Sequence, residues 1–271
     1  MTLRLTQEQI ERYSRQIMIP DLGGKGQIRL RQGSVLVVGA GGLGSPATFY
    51  LVAAGIGHLG IVDSDRVELS NLQRQILHAT PDLGREKVES AKEKLRRLNP
   101  EVEISTYAVR LDDKNARQIL SGYDFIIDGS DNFETKFLVN DVAVNLGKAF
   151  SHAGIVRFQG QTMTVLPGQS ACYRCVFREP PPPGEILNCQ QAGVLGALAG
   201  TIASIQATEA IKFLIGMDEE LLTDRLLIYD AKTIKFRTVE VRRNPQCVAC
   251  GEASDPGVSS TGKLNEGKGN L

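Results

Sequence analysis

The sequence predicts an α/β fold, a Rossmann-like, doubly wound and mostly parallel sheet extended by antiparallel strands. Two observations carry this expectation. The stretch Ser34–Gly44, SVLVVGAGGLG, runs from an aliphatic, β-branched segment into Gly39-x-Gly41-x-x-Gly44, and Ser45–Leu51 then reads as the start of a helix. Glycines there allow a tight turn and close backbone approach, and the helix N-terminus presents free N–H groups to an anion. Secondly, strand-like and helix-like segments alternate up to about residue 150, and strand pairs dominate beyond it. Alternation is the mark of a parallel sheet with crossover helices.

Each element follows from its own pattern. Thr6–Arg15 reads as a polar amphipathic helix with Ile10 and Tyr13 on one face, and Lys25–Arg31 as another short helix. The GGKGQ stretch, Gly23–Gln27, lacks the frame of a Walker A loop and reads as a turn. Helix Ser45–Gly55 leads to strand Leu59–Asp63. In Gly84–Asn99, Val88, Ala91, Leu95 and Leu98 share a helical face, and Pro100 follows its end. Val102–Tyr107 alternates as a strand, Asp113–Leu120 is helical, and the apolar strand Asp124–Asp128 ends in the loop GSDN. A helix at Asn132–Leu146 precedes two strands, Ala149–Phe158 and Gln161–Leu166, joined by a turn at Gln159–Gly160. Gln169–Gln191 is irregular and holds four consecutive prolines, Pro180–Pro183. Gly193–Gly216 is a long helix, and Leu226–Tyr229 with Ile234–Val241 forms a last antiparallel pair. Residues 252–271 are Gly/Ser-rich without apolar periodicity, and read as a disordered tail.

Composition narrows the function classes. Lys+Arg and Asp+Glu both number 31, so net charge is zero, which argues against nucleic-acid binding by bulk charge. The N-terminus is charged and lacks the apolar core of a signal peptide. Ala192–Thr208 is uncharged, but it is short, rich in small residues and continues into Glu209 and Lys212, so it reads as a buried helix and not a membrane span. The expected location is the cytoplasm. With no secretion signal, the five cysteines do not suggest a disulfide framework.

Several residues can carry chemistry. Asp63 ends the second strand, where an acid in such a unit hydrogen-bonds ribose hydroxyls, with Asp65 as an alternative. Asn71, Arg74 and Gln75 follow, and Lys87 opens the next helix. Cations at this point suit a triphosphate better than a dinucleotide, which is handled mainly by backbone N–H groups. The plain reading of Lys87 is a solvated helix lysine. Asp131 lies in the loop after Asp124–Asp128, where ligands of open α/β sheets bind. Its carboxylate suits Mg²⁺ on phosphates; Asp128 competes for that role, and an N-cap is the plain alternative. Cys172-x-x-Cys175 and Cys247-x-x-Cys250 together offer four thiolates to a tetrahedral structural Zn²⁺, with two redox dithiols as the alternative. Cys189 is left over, close to the start of the Gly193 helix; it is either a thiol nucleophile or an ordinary surface cysteine.

The ordered set GAGGLG, Asp63, SNLQRQ, Lys87, DGSDN, CYRC, Cys189 and CVAC resembles the ThiF/MoeB/HesA family, prokaryotic relatives of the ubiquitin-activating enzymes. The likeness runs from Arg12 to Gly251. It implies a single adenylation domain over 1–251, with a nucleotide-binding half to about residue 150 and a carrier-binding and zinc half after it. It also implies adenylation, with MgATP, of the C-terminal Gly-Gly carboxylate of a ubiquitin-like sulfur carrier protein, with release of pyrophosphate. Carried over residue by residue, Gly39, Gly41, Gly42 and Gly44 face the nucleotide, and Asp63 holds the ribose. Asn71, Arg74, Gln75 and Lys87 line the phosphates, and Asp131 holds Mg²⁺. Arg15 reaches the neighbouring subunit's phosphates in a homodimer. The small-residue helix Gly193–Gly216 is an expected part of that dimer's surface. Sulfur is expected from a separate donor protein, since no sulfurtransferase segment follows Gly251. A nicotinamide-dependent oxidoreductase and a non-catalytic nucleotide-binding module are the competing readings; Arg74, Lys87 and Asp131 speak against hydride transfer.

Overall fold

A computed structural model describes residues 4–182 and 192–251. Cys189 and the tail 252–271 lie outside the described residues. Eight strands form one sheet in the order β3-β2-β1-β4-β5-β6-β7-β8. The parallel part comprises β1 (Ser34–Val38), β2 (His58–Val62), β3 (Glu103–Tyr107), β4 (Phe125–Asp128) and β5 (Ala149–Val156). The antiparallel extension is β6 (Gln159–Val165), β7 (Arg225–Asp230) and β8 (Lys235–Glu240). The expected fold class is therefore the observed one.

Alternation along the strands builds two cores. Side chains at successive strand positions point to opposite faces. Val35 and Val37 of β1 join one buried cluster, and Leu36 and Val38 join the other. The first cluster packs beneath α3 (Gly23–Gln32), α4 (Gly44–Ala54), α5 (Lys87–Leu98) and α9 (Gly196–Ile215). The second lies under α6 (Ala116–Ser121) and α7 (Phe133–Leu146), and takes in Cys172, Cys247 and Cys250. Short helices complete the described chain: α1 (Gln7–Arg12), α2 (Ser14–Ile17) and α8 (Tyr173–Val176). Helix α9 is long and apolar enough to cross a membrane by length and composition, yet half of it is buried against α3, α4, β5 and β6. Thr201, Ser204 and Thr208, on its outer face, return their hydroxyls to carbonyls one turn back.

Four local expectations are corrected. The N-terminal helix breaks at Tyr13, because that ring is buried and its hydroxyl accepts a hydrogen bond from Asn99 at 2.8 Å; Ile10, its expected companion, is exposed. Gly23–Gln27 is not a turn but the first part of α3, where Gly26 packs so closely on Leu22 and Ile215 that a Cβ would sit 3.1 Å from Leu22 Cγ. The expected turn glycine Gly160 belongs to β6, where a side chain would strike Ile202 of α9; the chain reverses at Arg157–Phe158 instead, with Arg157 at φ 52°. The helix expected from Gly84 begins at Lys87, and Leu98 at its end is exposed.

Candidate nucleotide site and metal centre

A cavity of about 790 Å³ opens at the carboxyl ends of the parallel strands. The glycine turn forms one wall. Gly39 adopts φ 92° and lies so close to Gly129 that a Cβ would sit 3.1 Å from its carbonyl oxygen. A Cβ on Gly44 would collide with the Gly39 carbonyl, so the third glycine lets α4 close onto the strand. Gly39, Gly41 and Gly42 line the cavity, whereas Gly44 is buried behind them. No side chain caps the N-terminus of α4, so its positive dipole end is open to an anion, although the Ser45 N–H already donates to the Gly41 carbonyl at 2.9 Å and Pro46 has no N–H.

Acidic and basic groups surround the turn. Asp63 follows β2, and its carboxylate accepts hydrogen bonds from the Ala40 N–H at 2.7 Å and the Asp65 N–H at 2.8 Å. Burial raises its pKa, with Lys87 and these two amides opposing that effect. Asp65 does not share the position of Asp63: it points to Lys87, whose Nζ lies 2.8 Å away. Lys87 is not a solvated helix lysine, being only 5% exposed and in the cavity wall. The Arg74 stem runs along Gly42, and its Nη1 donates to the Ser70 carbonyl. Gln75 is buried beside Gly41, and its Oε1 has no partner among the described residues. Such an orphaned acceptor in a cavity wall fits a bound donor.

Asn71 and Arg15 stand apart. Asn71 closes the turn at Leu69–Asn71 by accepting from the Glu68 N–H, and it is not part of the cavity wall. Arg15 is exposed on α2 and does not line its own chain's cavity. Asp131 lines the cavity, is exposed, and has no partner among the described residues. The N-cap of α7 is its neighbour Asn132, which accepts from the Thr135 N–H at 2.8 Å, so Asp131 is left free of that task. Asp128 is no competitor for a metal. It is buried and bonded to Ser130, to Lys136 at 3.3 Å and to His152 at 3.0 Å. Burial opposes its ionisation, yet Lys136, His152 and Ser130 hold its carboxyl well below the usual range.

This Asp128–Lys136–His152 group escaped the sequence reading. One signal was present: Lys136 falls in phase with Val139, Asn140 and Ala143, which form the buried stripe of α7. A lysine on such a stripe needs a partner carboxylate. Its Nζ also donates to the Ser130 and Ala153 carbonyls, both at 2.7 Å.

The four cysteines converge although about seventy residues separate the two pairs. Sulfur–sulfur separations are 3.6 Å for Cys172–Cys247, 3.9 Å for Cys172–Cys175 and 3.5 Å for Cys175–Cys250. A tetrahedral Zn²⁺ with ligands at ~2.3 Å spaces sulfurs by about 3.8 Å. All four Sγ atoms lie within 4.8 Å of one another, so the cluster fits a zinc site. The Asn244 N–H points at the Cys175 sulfur at 3.4 Å, as outer-shell donors to thiolates do. Asn140 and Asp141 of α7 grip the Tyr173 amide and the Arg174 guanidinium, which fastens the first knuckle to the body of the fold.

Residues 13–249 match the family model described as ThiF family. The chain belongs to the ThiF family. A relative named sulfur carrier protein adenylyltransferase, from Thermus thermophilus, is 48% identical over 255 residues, spanning 92% of this chain and 94% of that protein. A second relative, the SAMP-activating enzyme E1 of Haloferax volcanii, is 48% identical over 252 residues and covers 93% of each chain. The probable adenylyltransferase/sulfurtransferase MoeZ of Mycobacterium tuberculosis is 45% identical over 255 residues, or 93% of this chain and 65% of its own length. Among solved structures, E. coli MccB with ATP superposes with a TM-score of 0.79 at 24% identity, over 89% of this chain and 73% of that one. That likeness shows a shared fold.

Proposed function

We propose that this protein is an ATP-dependent adenylyltransferase acting on a ubiquitin-like sulfur carrier protein that ends in Gly-Gly. One observation carries the reading: the glycine turn, Asp63, Arg74, Lys87 and Asp131 meet in a single cavity. The names of relatives of nearly equal length support the reaction class and the carrier.

In this reading the glycine turn and the positive dipole end of α4 cradle phosphate. Asp63 keeps one lone pair per oxygen for ribose hydroxyls while bracing the turn. Arg74 offers a planar fork to phosphate oxygens, and Lys87 a compact charge. Asp131, without a partner among the described residues, would hold Mg²⁺, which when bound neutralises phosphate charge. A carboxylate oxygen of the tail attacks the α-phosphorus, its bond to the β-bridging oxygen breaks, and pyrophosphate leaves with that electron pair. No general base is required, because the attacking carboxylate is ionised at neutral pH. Catalysis is then positioning and charge neutralisation. The acyl-adenylate is the substrate for thiocarboxylate formation with sulfur from a separate donor. Arg15, exposed on α2, would complete the site of a neighbouring subunit in a homodimer.

The test is ATP–pyrophosphate exchange with Gly-Gly carriers. The expected result is exchange that requires both a carrier and Mg²⁺. Nicotinamide oxidation with no exchange for any carrier overturns the reading.

A further inference from the structure

The far end of the cavity holds a buried group that nucleotide binding leaves unused. His152 of β5 lines the wall and is 2% exposed. Its Nδ1 lies 3.0 Å from Asp128 Oδ2, and β4 and β5 pair these two residues directly. A carboxylate only accepts, so Nδ1 carries the ring proton and Nε2 presents a lone pair. Nε2 is buried without a partner among the described residues. The Tyr173 ring, 4.3 Å away centre to centre, does not satisfy it, since an aromatic face is itself electron-rich.

Sheet order says what can reach this acceptor. The ribose acid follows β2, the glycine turn follows β1, Asp131 follows β4, and His152 lies on β5. Neighbouring strands are ~4.8 Å apart, so His152 sits roughly 14 Å across the sheet from the ribose position, beyond the phosphates. Ionised phosphate oxygens and a tail carboxylate only accept hydrogen bonds. The donor available on that side is a peptide N–H. Gly154 lines the same end of the cavity, and a Cβ there would have only the Gln161 side chain as a neighbour, 3.6 Å away.

We propose that His152 is a positioning residue for the carrier tail, its Nε2 accepting a hydrogen bond from one of the tail's last two amide N–H groups. The inference rests on the adenylation reading above. It goes further in assigning to one side chain the recognition of the tail's backbone next to the reacting carboxylate.

Two variants separate the two ring nitrogens. His152→Asn keeps a group bonded to Asp128 and loses the ε acceptor; His152→Gln places an amide oxygen near the ε position. In ATP–pyrophosphate exchange with a bacterial ubiquitin-fold carrier ending in Gly-Gly, His152→Asn should raise the carrier KM about tenfold and leave the ATP KM unchanged. His152→Gln should stay within about threefold of wild type. The second measurement leaves the enzyme intact: each of the carrier's last two amide linkages is replaced by an ester in semisynthetic carriers. One ester should raise the carrier KM about tenfold with wild-type enzyme and add nothing with His152→Asn. Absence of this coupling, or ATP and carrier KM rising together, overturns the role of His152 while exchange by wild type keeps the adenylation reading. Absence of exchange by wild type overturns both.

Discussion

Asp63 accepts a hydrogen bond from the Ala40 N–H at 2.7 Å, which ties the end of β2 to the glycine turn after β1. His78 holds the other side of the same residue, its Nε2 lying 3.1 Å from the Ala40 carbonyl oxygen. The turn is thus braced through both backbone groups of one alanine. Asp63→Asn should raise the ATP KM at least tenfold and also lower stability by ~1–2 kcal/mol, because an amide cannot accept at both oxygens' positions. Nucleotide titration and chemical denaturation of the same variant read the two effects separately.

Asp131 provides the contrasting case. With no partner among the described residues, its removal should cost catalysis without costing fold. Asp131→Ala is expected to lower exchange by about 10²–10³-fold with an unchanged melting temperature, and Arg74→Ala to lower it comparably. A melting temperature that falls with the activity would contradict the Asp131 assignment.

Zinc should be part of the folded structure. Cys172, Cys247 and Cys250 are members of the second core cluster, so the metal and the core stabilise each other. Elemental analysis should give about one zinc per chain, absent in Cys247→Ser, with that variant melting at lower temperature. A fully folded, metal-free wild type would count against the clamp.

Acid should weaken the fold through two buried histidines. Burial, reinforced by Lys94 and Lys87, brings the His78 pKa down to about 4 against the pull of the Ala40 carbonyl and Asp82. Burial and Lys136 bring His152 to about 4 against Asp128. Unfolded histidine titrates near 6.5. Above that value neither state binds the proton and the full stability is present. Between about 6.5 and 4 the unfolded chain takes up protons that the folded chain refuses, so stability falls as pH falls, by up to ~1.4 kcal/mol per unit for each histidine. Denaturation curves from pH 7.5 to 4.5 should show this slope, and His78→Gln should reduce it. A stability independent of pH over that range would disprove the neutral buried state.

Some of the site was legible because local pattern reports local chemistry. The glycine spacing of Gly39–Gly44 reads as a strand-to-helix turn, and two Cys-x-x-Cys knuckles offer four thiolates to one metal whatever lies between them. Lys87 and Asp131 were legible as residue types and misleading in their plain readings, since burial and cap geometry depend on neighbours that come from elsewhere in the chain. Gly160 shows the same limit: a glycine between two strands suggests a turn, but the pressure that selects it comes from Ile202, a residue of a distant helix.

The amino-acid order by itself determined the sheet class, the phosphate-binding turn and the four-thiolate set, because each is encoded over a few consecutive residues. Only the tertiary structure decided that Asp128 is sealed by Lys136 and His152, that Asp131 has no partner among the described residues, and that Asn71 is spent on closing its own turn. Those outcomes follow from strand register and helix packing, which bring residues far apart in the chain within hydrogen-bonding distance. Burial then sets which of them remain charged and which keep an open lone pair for a ligand.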